Sequence, residues 1–302
     1  MSAGRRDINI YGRKKMRRCF LIGNPVEHSL SPGMHQVIYD ELGLDWKYEK
    51  RLIAEESGLK EFVDNVLKDT TCAGFNVTVP HKEIIITYLT SVVPAARDIG
   101  AVNTVIKNKE GCLIGENTDC LGFAKDIEQW ADIENSTTIV TGCGGAGKAV
   151  VTALDAKIKT SGKPPKIFVY DIDTEKAKNL ANNRRDVTVL MNEEELYEKL
   201  TVADLLVNAS MVGMKPAAPV VDLKKGCKKN LKIYDVVYNR ITELRRVAIA
   251  RGLETRGGIG MLAWQGILAF DKWAKANGIE VKPVKLDKIA EKIKIDLEKK
   301  VG

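Results

Sequence analysis

The sequence predicts an α/β protein with two domains, and three observations lead to this prediction. The length of 302 residues suits two domains of ordinary size. Hydrophobic residues make up 44% of the chain and charged residues 29%, a composition typical of a globular protein with a real core. Short apolar segments alternate with helical segments, and this alternation predicts parallel sheets covered by helices.

The elements of the first half follow from local signals. Residues 18–23 form an apolar run that predicts a buried strand. Ser31 and Pro32 are typical of a helix start, and they predict a helix with Ser31 as its N-cap that ends at Gly43. The next predicted elements are, in order, a helix, a strand, a helix and a hairpin, at residues 57–68, 73–79, 84–89, and 101–107 with 112–114.

The second half alternates more regularly. A helix at residues 119–130 leads into short apolar strands separated by helical stretches, at residues 137–141, 166–170, 187–190, 204–208 and 231–237. Such alternation predicts a parallel sheet. A helix at 260–276 is expected to return to the first domain, and a helix at 284–299 ends the chain. The predicted domains are residues 1–119 and 120–256, with residues 257–302 packed back on the first.

Charge and cysteine content exclude several classes of protein. The formal charge is +7, yet no basic face interleaved with recognition residues is present, so no nucleic-acid partner is expected. The first 17 residues are basic and lack the apolar stretch of a signal peptide, and residues 1–15 are expected to be a disordered tail. No apolar run reaches membrane-spanning length, and the six cysteines show no zinc spacing. We therefore expect a cytoplasmic protein without a membrane partner or a metal.

A glycine loop follows the strand at residues 137–141. Its sequence, residues 142–147 (GCGGAG), has glycines at the first, third and sixth positions and leads into a helix, which is the dinucleotide fingerprint of a Rossmann domain. The first glycine makes the turn, the second admits the pyrophosphate, and the third packs helix against strand. The predicted cofactor-binding residues here are Gly142, Gly144, Gly145, Ala146 and Gly147.

The next strand ends at an acidic residue, Asp171. A carboxylate at this place accepts hydrogen bonds from the ribose hydroxyls of NAD and repels the 2′-phosphate of NADP. Lys176 is a nearby cation that can neutralise a phosphate. The cofactor is therefore NAD or NADP, with NAD favoured by Asp171. The alternative is that Asp171 or Asp173 caps the helix that starts near Thr174.

Further segments resemble the shikimate dehydrogenases and occur in that family's order. The resemblance covers about residues 16–277. The segments are residues 23–32 (GNPVEHSLSP), 74–82 (GFNVTVPHK), 100–104 (GAVNT), 115–119 (GENTD), 208–214 (NASMVGM), 234–238 (YDVVY) and 260–265 (GMLAWQ).

The resemblance implies an N-terminal α/β substrate domain, a C-terminal Rossmann domain and a cleft between them. The implied activity is the NAD(P)-dependent interconversion of 3-dehydroshikimate and shikimate, a small-molecule substrate pair. It assigns the substrate carboxylate to Ser29, Ser31 and Tyr238. The ring hydroxyls are assigned to Thr78, Lys82, Asn103, Asp119 and Gln265, and further cofactor contacts to Val237, Gly258 and Met261, the last near the nicotinamide.

The chemistry of such a reaction independently requires a proton donor, because hydride reduction of a ketone creates an alkoxide. Lys82 can supply the proton if burial lowers its pKa, and Asp119 can hold the ammonium group although its charge opposes that lowering. The simpler interpretations are a surface lysine at 82 and an N-cap at Asp119. Gln265, on an apolar helix, is the best single indication of a polar ligand.

Two departures from the family pattern bear on specificity. The family often has Asn-Arg-Thr where this chain has Asp171, Ile172 and Asp173, which favours NAD and resembles the NAD-using quinate/shikimate branch. Arg240 stands where the family commonly has Pro. The alternatives are thus a quinate/shikimate dehydrogenase and a non-catalytic dinucleotide-binding sensor, the latter disfavoured by the presence of both Lys82 and Asp119. A monomer or a homodimer is expected.

Overall fold

A computed structural model describes residues 8–10, 16–128, 130–161, 166–182, 184–216 and 218–301. The chain forms two compact units, each with its own six-stranded sheet. The first unit comprises Met1–Thr118 and Ala263–Leu297, and the second comprises Asp119–Leu262 and Glu298–Gly302. The unit boundaries therefore lie after residues 118 and 262, compared with the sequence-based boundaries after residues 119 and 256.

The N-terminal part of the first unit is a mixed α/β segment. Its strands are β1 (Ile8–Ile10), β2 (Arg17–Gly23), β3 (Trp46–Leu52), β4 (Cys72–Val77), β5 (Ser91–Val92), β6 (Thr104–Lys107) and β7 (Leu113–Glu116). Its helices are α1 (Ser31–Leu42), α2 (Glu56–Lys68), a 3-10 helix (Ile84–Tyr88) and α3 (Pro94–Ile99).

The second unit has the regular alternation that the sequence predicts. Its helices are α4 (Thr118–Ile127), α5 (Gly145–Ser161), α6 (Thr174–Ala181), α7 (Glu193–Leu200), a 3-10 helix (Leu223–Lys225) and α8 (Glu243–Ala250). Its strands are β8 (Thr137–Thr141), β9 (Lys166–Tyr170), β10 (Val187–Val189), β11 (Leu205–Asn208), β12 (Lys232–Asp235) and β13 (Thr255–Gly257). The chain ends with α9 (Ile259–Ala276), β14 (Ile279–Val281) and α10 (Pro283–Val301).

The sheet of the first unit has the order β3-β2-β4-β6-β7-β5. Strand β2 is parallel to both β3 and β4, whereas β6 is antiparallel to β4 and β7. All six residues of β4 are buried, because both faces of this central strand are covered. The loop that follows β4 is therefore anchored to a rigid part of the unit.

The sheet of the second unit is entirely parallel, with the order β10-β9-β8-β11-β12-β13. Strands β9 and β10 lie on one side of β8, and β11, β12 and β13 lie on the other. The direction in which the sheet grows therefore reverses at β8. In such doubly wound sheets, ligands bind at the carboxyl ends of the strands beside this reversal. The predicted fold class, two α/β domains of which the second is a Rossmann domain, is confirmed.

Several local predictions need correction. Residues 8–10 form β1 and pair with β14, so the expectation of disorder is wrong for them because the backbone finds a partner strand, while residues 1–7 and 11–15 lie outside the described residues. Ser31 is not an N-cap: Leu30 occupies that position without a side-chain cap, since the Ser31 hydroxyl is bonded to Ser29 instead. The helix expected at 84–89 is a 3-10 helix.

Candidate active site

The buried side chain of Asn103 is the centre of a polar network in the first unit. Its Oδ1 accepts hydrogen bonds from the backbone N–H of Thr118 (2.7 Å) and from the hydroxyl of Thr104 (2.9 Å). Its Nδ2 donates to the hydroxyl of Thr118 (3.1 Å) and to Oε1 of Gln265 (3.5 Å). Because a backbone N–H can only donate, the orientation of the Asn103 amide is fixed, with its N–H groups on the side of Gln265.

A second buried amide, Asn76 on β4, supports Asn103 from within the sheet. Its Nδ2 donates to the backbone oxygen of Asn103 and to the hydroxyl of Thr104, both at 3.0 Å. Its Oδ1 accepts a hydrogen bond from the Tyr48 hydroxyl at 2.8 Å. Sequence reasoning assigned no role to Asn76, Thr104 or Tyr48. The available signal was an amide in the middle of the apolar run 73–79, where burial demands hydrogen-bond partners.

Gln265 reaches this network because residues 263–276 of α9 belong to the first unit. The indole N–H of Trp273 donates to the backbone oxygen of Val105 at 2.9 Å. The indole also occupies the space beside Gly74, where a Cβ would lie 2.3 Å from the ring nitrogen. Trp273 thereby places the preceding turns of α9, including the buried Gln265, beside Asn103. Two of the predicted ring-hydroxyl ligands, Asn103 and Gln265, are therefore neighbours.

Thr78 and Lys82 lie in the turn that follows β4. The backbone N–H of Thr78 donates to the oxygen of Ile22 at 2.9 Å, and the backbone oxygen of Lys82 accepts from the N–H of Val102 at 2.7 Å. His81 is buried between them and its Nε2 lies 2.8 Å from the Ile53 oxygen. These contacts fix a half-buried Lys82 next to the segment that carries Asn103. Lys82 precedes a 3-10 helix rather than sitting in the first turn of an α-helix.

Ser29 and Ser31 lie at the start of α1. Their hydroxyls are 3.2 Å apart, and Ser29 Oγ also accepts the backbone N–H of Ser31 at 3.3 Å. Pro32 occupies the first turn of the helix. Two hydroxyls beside a helix N-terminus suit a carboxylate, which accepts hydrogen bonds and is favoured by the helix dipole.

The glycine loop of the second unit has the geometry of a dinucleotide cradle. Gly142 has a φ of 91°, and a Cβ there would lie 2.6 Å from the backbone nitrogen of Ser210. A Cβ on Gly147 would lie 1.9 Å from the oxygen of Gly142, so this position packs α5 against the loop. Gly144 faces open space, since a Cβ there would meet no atom of the described residues within 4 Å. The residues present thus fit a pyrophosphate that approaches the backbone at Gly144 and the N-terminus of α5.

Asp171 connects the end of β9 with this loop. One carboxylate oxygen accepts the backbone N–H of Cys143 at 2.7 Å, and the other accepts the N–H of Asp173 at 2.9 Å. Asp173, not Asp171, is the N-cap of α6 and accepts the N–H of Lys176 at 3.4 Å. The ammonium group of Lys176 lies 3.4 Å from the Asp173 carboxylate, so its charge is partly compensated. Asp171 therefore holds the glycine loop to the turn that follows β9.

Two loops that follow β11 and β12 are joined by a buried carboxylate that sequence reasoning left without a role. Asp235 Oδ1 accepts hydrogen bonds from the Asn208 side chain (3.0 Å) and the Val237 backbone (3.1 Å), and Oδ2 accepts the Thr242 hydroxyl. Burial raises the pKa of Asp235, and its hydrogen bonds and Arg245 oppose that rise. The loop geometry at Val237 consequently depends on this carboxylate.

The remaining predicted cofactor residues lie near the same strand ends. Val237 is buried, and Tyr238 follows it in a half-buried position. A Cβ on Gly258 would lie 2.0 Å from the oxygen of Val236, so only glycine fits there. Met261, in the first turn of α9, belongs to the hydrophobic core of the second unit.

Asp119 and Arg240 complete the predicted positions. Asp119 follows Thr118 and lies buried in the first turn of α4, so it is not the N-cap of that helix. Arg240 lines a small pocket of the second unit together with Lys215 and Arg246. Nothing in the structure explains the exchange of the family's Pro for Arg240.

These features define a class of protein: an oxidoreductase with a Rossmann domain for a nicotinamide dinucleotide and a separate α/β unit that carries a buried amide and hydroxyl network. Residues 21–105 match the family model described as the shikimate dehydrogenase substrate binding domain. A shikimate dehydrogenase (NADP(+)) of Bacillus cereus strain AH187 is 36% identical over 84% of this chain and 91% of its own length. The chain belongs to the shikimate dehydrogenase family.

Solved structures agree with this assignment. Shikimate 5-dehydrogenase from Thermus thermophilus, in complex with NADP(H) and shikimate, has a TM-score of 0.76 and 33% identity and covers 92% of this chain and 99% of its own. Shikimate 5-dehydrogenase from Listeria monocytogenes, in complex with shikimate and NAD, has a TM-score of 0.72 and 30% identity, with coverage of 94% and 99%.

The comparisons with known proteins bear on the two alternative functions, a quinate/shikimate dehydrogenase and a non-catalytic sensor. The relatives named above are shikimate dehydrogenases, and they give no support to the quinate alternative. They are enzymes, which also disfavours a non-catalytic sensor. Within the described ranges, no helix combines the length and apolar character that crossing a membrane requires. The same part of the chain holds no cluster of three or more His, Cys, Asp or Glu side chains placed to bind a metal ion.

Proposed function

We propose that this chain catalyses the reversible NAD(P)H-dependent reduction of 3-dehydroshikimate to shikimate. The observation that carries the proposal is the network of Asn103, Thr118 and Gln265, in which side chains from three separate motifs meet in one buried place. Burial of these polar groups costs free energy that hydrogen bonds must offset, and a bound ligand with hydroxyl groups would supply further partners. A ligand rich in hydroxyl groups explains why the network is present.

The proposed roles follow the chemistry of each group. Ser29, Ser31 and Tyr238 bind the substrate carboxylate, and the amides of Asn103 and Gln265, with the Thr78 hydroxyl, bind ring hydroxyls. The amides both donate and accept hydrogen bonds, which suits hydroxyl partners. Lys82 donates the proton to the developing alkoxide, and Asp119 orients the lysine ammonium group.

The bound dinucleotide supplies the hydride. In this proposal the backbone from Gly142 to Gly147 binds its pyrophosphate, and Val237, Gly258 and Met261 line the nicotinamide end. We propose NAD as the preferred cofactor, because Asp171 and Asp173 together place negative charge where the 2′-phosphate of NADP would lie. The Bacillus relative bears the name NADP(+), whereas the Listeria structure holds NAD.

A four-way assay tests the function. Purified protein is given shikimate or quinate, each with NAD or NADP, and reduction of the dinucleotide is followed by absorbance. We expect turnover with shikimate, the higher kcat/KM with NAD, and little turnover with quinate. Lys82→Met serves as the inactive reference, and exposed Lys109→Met as the matched surface control. Absence of dinucleotide reduction with shikimate under all conditions would refute the proposal.

Sedimentation of the same preparation tests the proposed monomer or homodimer. A larger assembly would contradict it.

A further inference from the structure

Asp126 is a buried carboxylate to which neither the substrate nor the cofactor proposal gives a role. Its side chain is 1% exposed. One oxygen accepts a hydrogen bond from the Tyr234 hydroxyl at 2.8 Å, and the other lies 3.3 Å from the guanidinium of Arg256, which also donates to the Asp126 backbone oxygen. A carboxylate this deeply buried is retained only when charged and hydrogen-bonded partners compensate it. We call Asp126, Tyr234 and Arg256 the Asp126 cluster.

The Asp126 cluster lies against the first turn of α9. A Cβ on Gly260 would fall 1.9 Å from the Asp126 carboxylate oxygen, so the helix backbone is in direct contact with the carboxylate. The N-terminus of a helix attracts negative charge, which suits this position. Burial raises the pKa of the Tyr234 hydroxyl well above its ordinary value, with Asp126 acting in the same sense, while Arg256 and the backbone of Met261 lower it. The backbone of Met261 is therefore in contact with the Asp126 cluster.

The same cluster is tied to α4. Asp126 follows Asp119 by seven residues, which is two helical turns, so the two carboxylates lie on the same side of α4. The helix is held in place by its aromatic contacts as well, since the rings of Phe123 and Tyr234 meet edge to face at 5.1 Å. The start of α9 is thus linked, through one buried ion pair in the second unit, to the C-terminal end of α4, two turns from Asp119.

We propose that the Asp126 cluster is a positioning device for hydride transfer: it fixes Met261, beside the nicotinamide, relative to Asp119 of the proton relay. This inference rests on the proposed function. Neither Asp126 nor Tyr234 touches substrate in it, and both act through the backbone of α4 and α9. Misplacement of reacting groups by about 1 Å costs about a hundredfold in rate, so a loosened cluster should slow the hydride step.

The test compares two buried tyrosines. Tyr234→Phe removes one hydroxyl from the cluster, and Arg256→Gln removes its positive charge while keeping most of its reach. Tyr39→Phe is the matched control, because Tyr39 is also fully buried but lies in the first unit, outside the Asp126 cluster. Each variant is assayed with shikimate and with shikimate deuterated at the transferred hydrogen, at saturating dinucleotide.

For Tyr234→Phe and Arg256→Gln we expect kcat to fall roughly tenfold to a hundredfold, with an increased deuterium isotope effect and a KM for shikimate within about twofold of the wild type. Tyr39→Phe should match the wild type in all three quantities. A merely structural role would lower the melting temperature without changing the isotope effect, and that outcome would overturn the proposal. If both cluster variants behave like Tyr39→Phe, the proposal is also wrong.

The two proposals fail in different ways. An inactive wild-type protein would contradict the proposed function before the variants are compared. An active wild type with unchanged isotope effects in the cluster variants would contradict the positioning role alone. A double variant of Tyr234→Phe and Arg256→Gln should lose no more than the worse single variant, because the residues act as one unit.

Discussion

In the proposed function the end of β9 sets the cofactor preference, and Ile172→Arg is the sharpest perturbation there. The Ile172 side chain is 93% exposed, so its replacement removes little packing. It lies between Asp171 and Asp173, at the position where a guanidinium can pair with a 2′-phosphate through two hydrogen bonds. The exchange should therefore change the recognition of NADP while leaving the fold and the NAD site intact.

The expected magnitude follows from Coulomb's law. Two unit charges about 4 Å apart interact by about 1 kcal/mol in water and by about 4 kcal/mol at the effective dielectric of a protein surface. For an exposed side chain we take about 1 kcal/mol, the upper end for a surface ion pair, which is roughly a fivefold change. The ratio of kcat/KM for NADP to that for NAD should rise by about this factor in Ile172→Arg. Ile172→Gln, similar in exposure but uncharged, is the control and should leave the ratio unchanged.

Asp171→Asn changes more than cofactor recognition, because the Asp171 carboxylate also holds the glycine loop by hydrogen bonds. Both of its oxygens accept backbone N–H groups, from Cys143 and Asp173, and an amide nitrogen cannot accept either. Losing one hydrogen bond to a charged acceptor costs roughly 1.5–3 kcal/mol. We expect activity to fall with both cofactors while the ratio moves towards NADP. Steady-state kinetics with both cofactors would refute the reasoning if the wild type already preferred NADP tenfold or more.

Two further predictions concern the proton relay and a buried histidine. Lys82→Met should cut turnover by roughly a hundredfold or more and change substrate affinity less, and Asp119→Asn should impair both. The losses should not add in the double variant, because the two residues act as one unit. Near-normal turnover of Lys82→Met in a saturating assay would exclude Lys82 as the proton carrier. Burial lowers the pKa of His35 to about 3, so the unfolded chain binds the extra proton and stability falls as the pH drops below about 6.5. Between pH 6.5 and pH 5 the free energy of unfolding should fall by about 2 kcal/mol for this reason. Urea unfolding of His35→Leu should lack this part of the pH dependence. An equal dependence of the unfolding free energy on pH in both proteins would contradict the prediction.

The glycine loop and its flanking elements were predictable because their signals are local. Strand, turn and helix lie within residues 137–161, and the close approach of Gly147 to the Gly142 oxygen is a steric demand inside that segment. The same holds for α1, which ends at Gly43 in a left-handed conformation, as the sequence predicts. Where a sequence pattern and its structural cause lie close together in the chain, the sequence alone predicts the element.

Other elements depend on distant partners, and local patterns could not reveal them. Strand β3 is rich in charged residues and is a strand because all seven of its residues are in parallel register with β2. Strand β1 has three residues and pairs with β14 near the other end of the chain. The Asp126 cluster has the same origin, since Asp126 would be expected on the polar face of α4 until β12 and β13 place Tyr234 and Arg256 against it.

The positions of the candidate site residues explain why short motifs carry the family resemblance. Thr78 follows β4, Gly142 follows β8, Asp171 follows β9, and Val237 follows β12, each within two residues of the last strand residue. Apart from polar positions such as Asn76, the interior of a buried strand needs apolar side chains that fill the core, and several apolar residues can do so. The residues just beyond the strand end must supply particular donors, acceptors or bare backbone to a ligand, and there the identity is constrained. A family built on such sheets is therefore marked by small groups of particular residues at strand ends, separated by apolar runs, and this chain shows that arrangement.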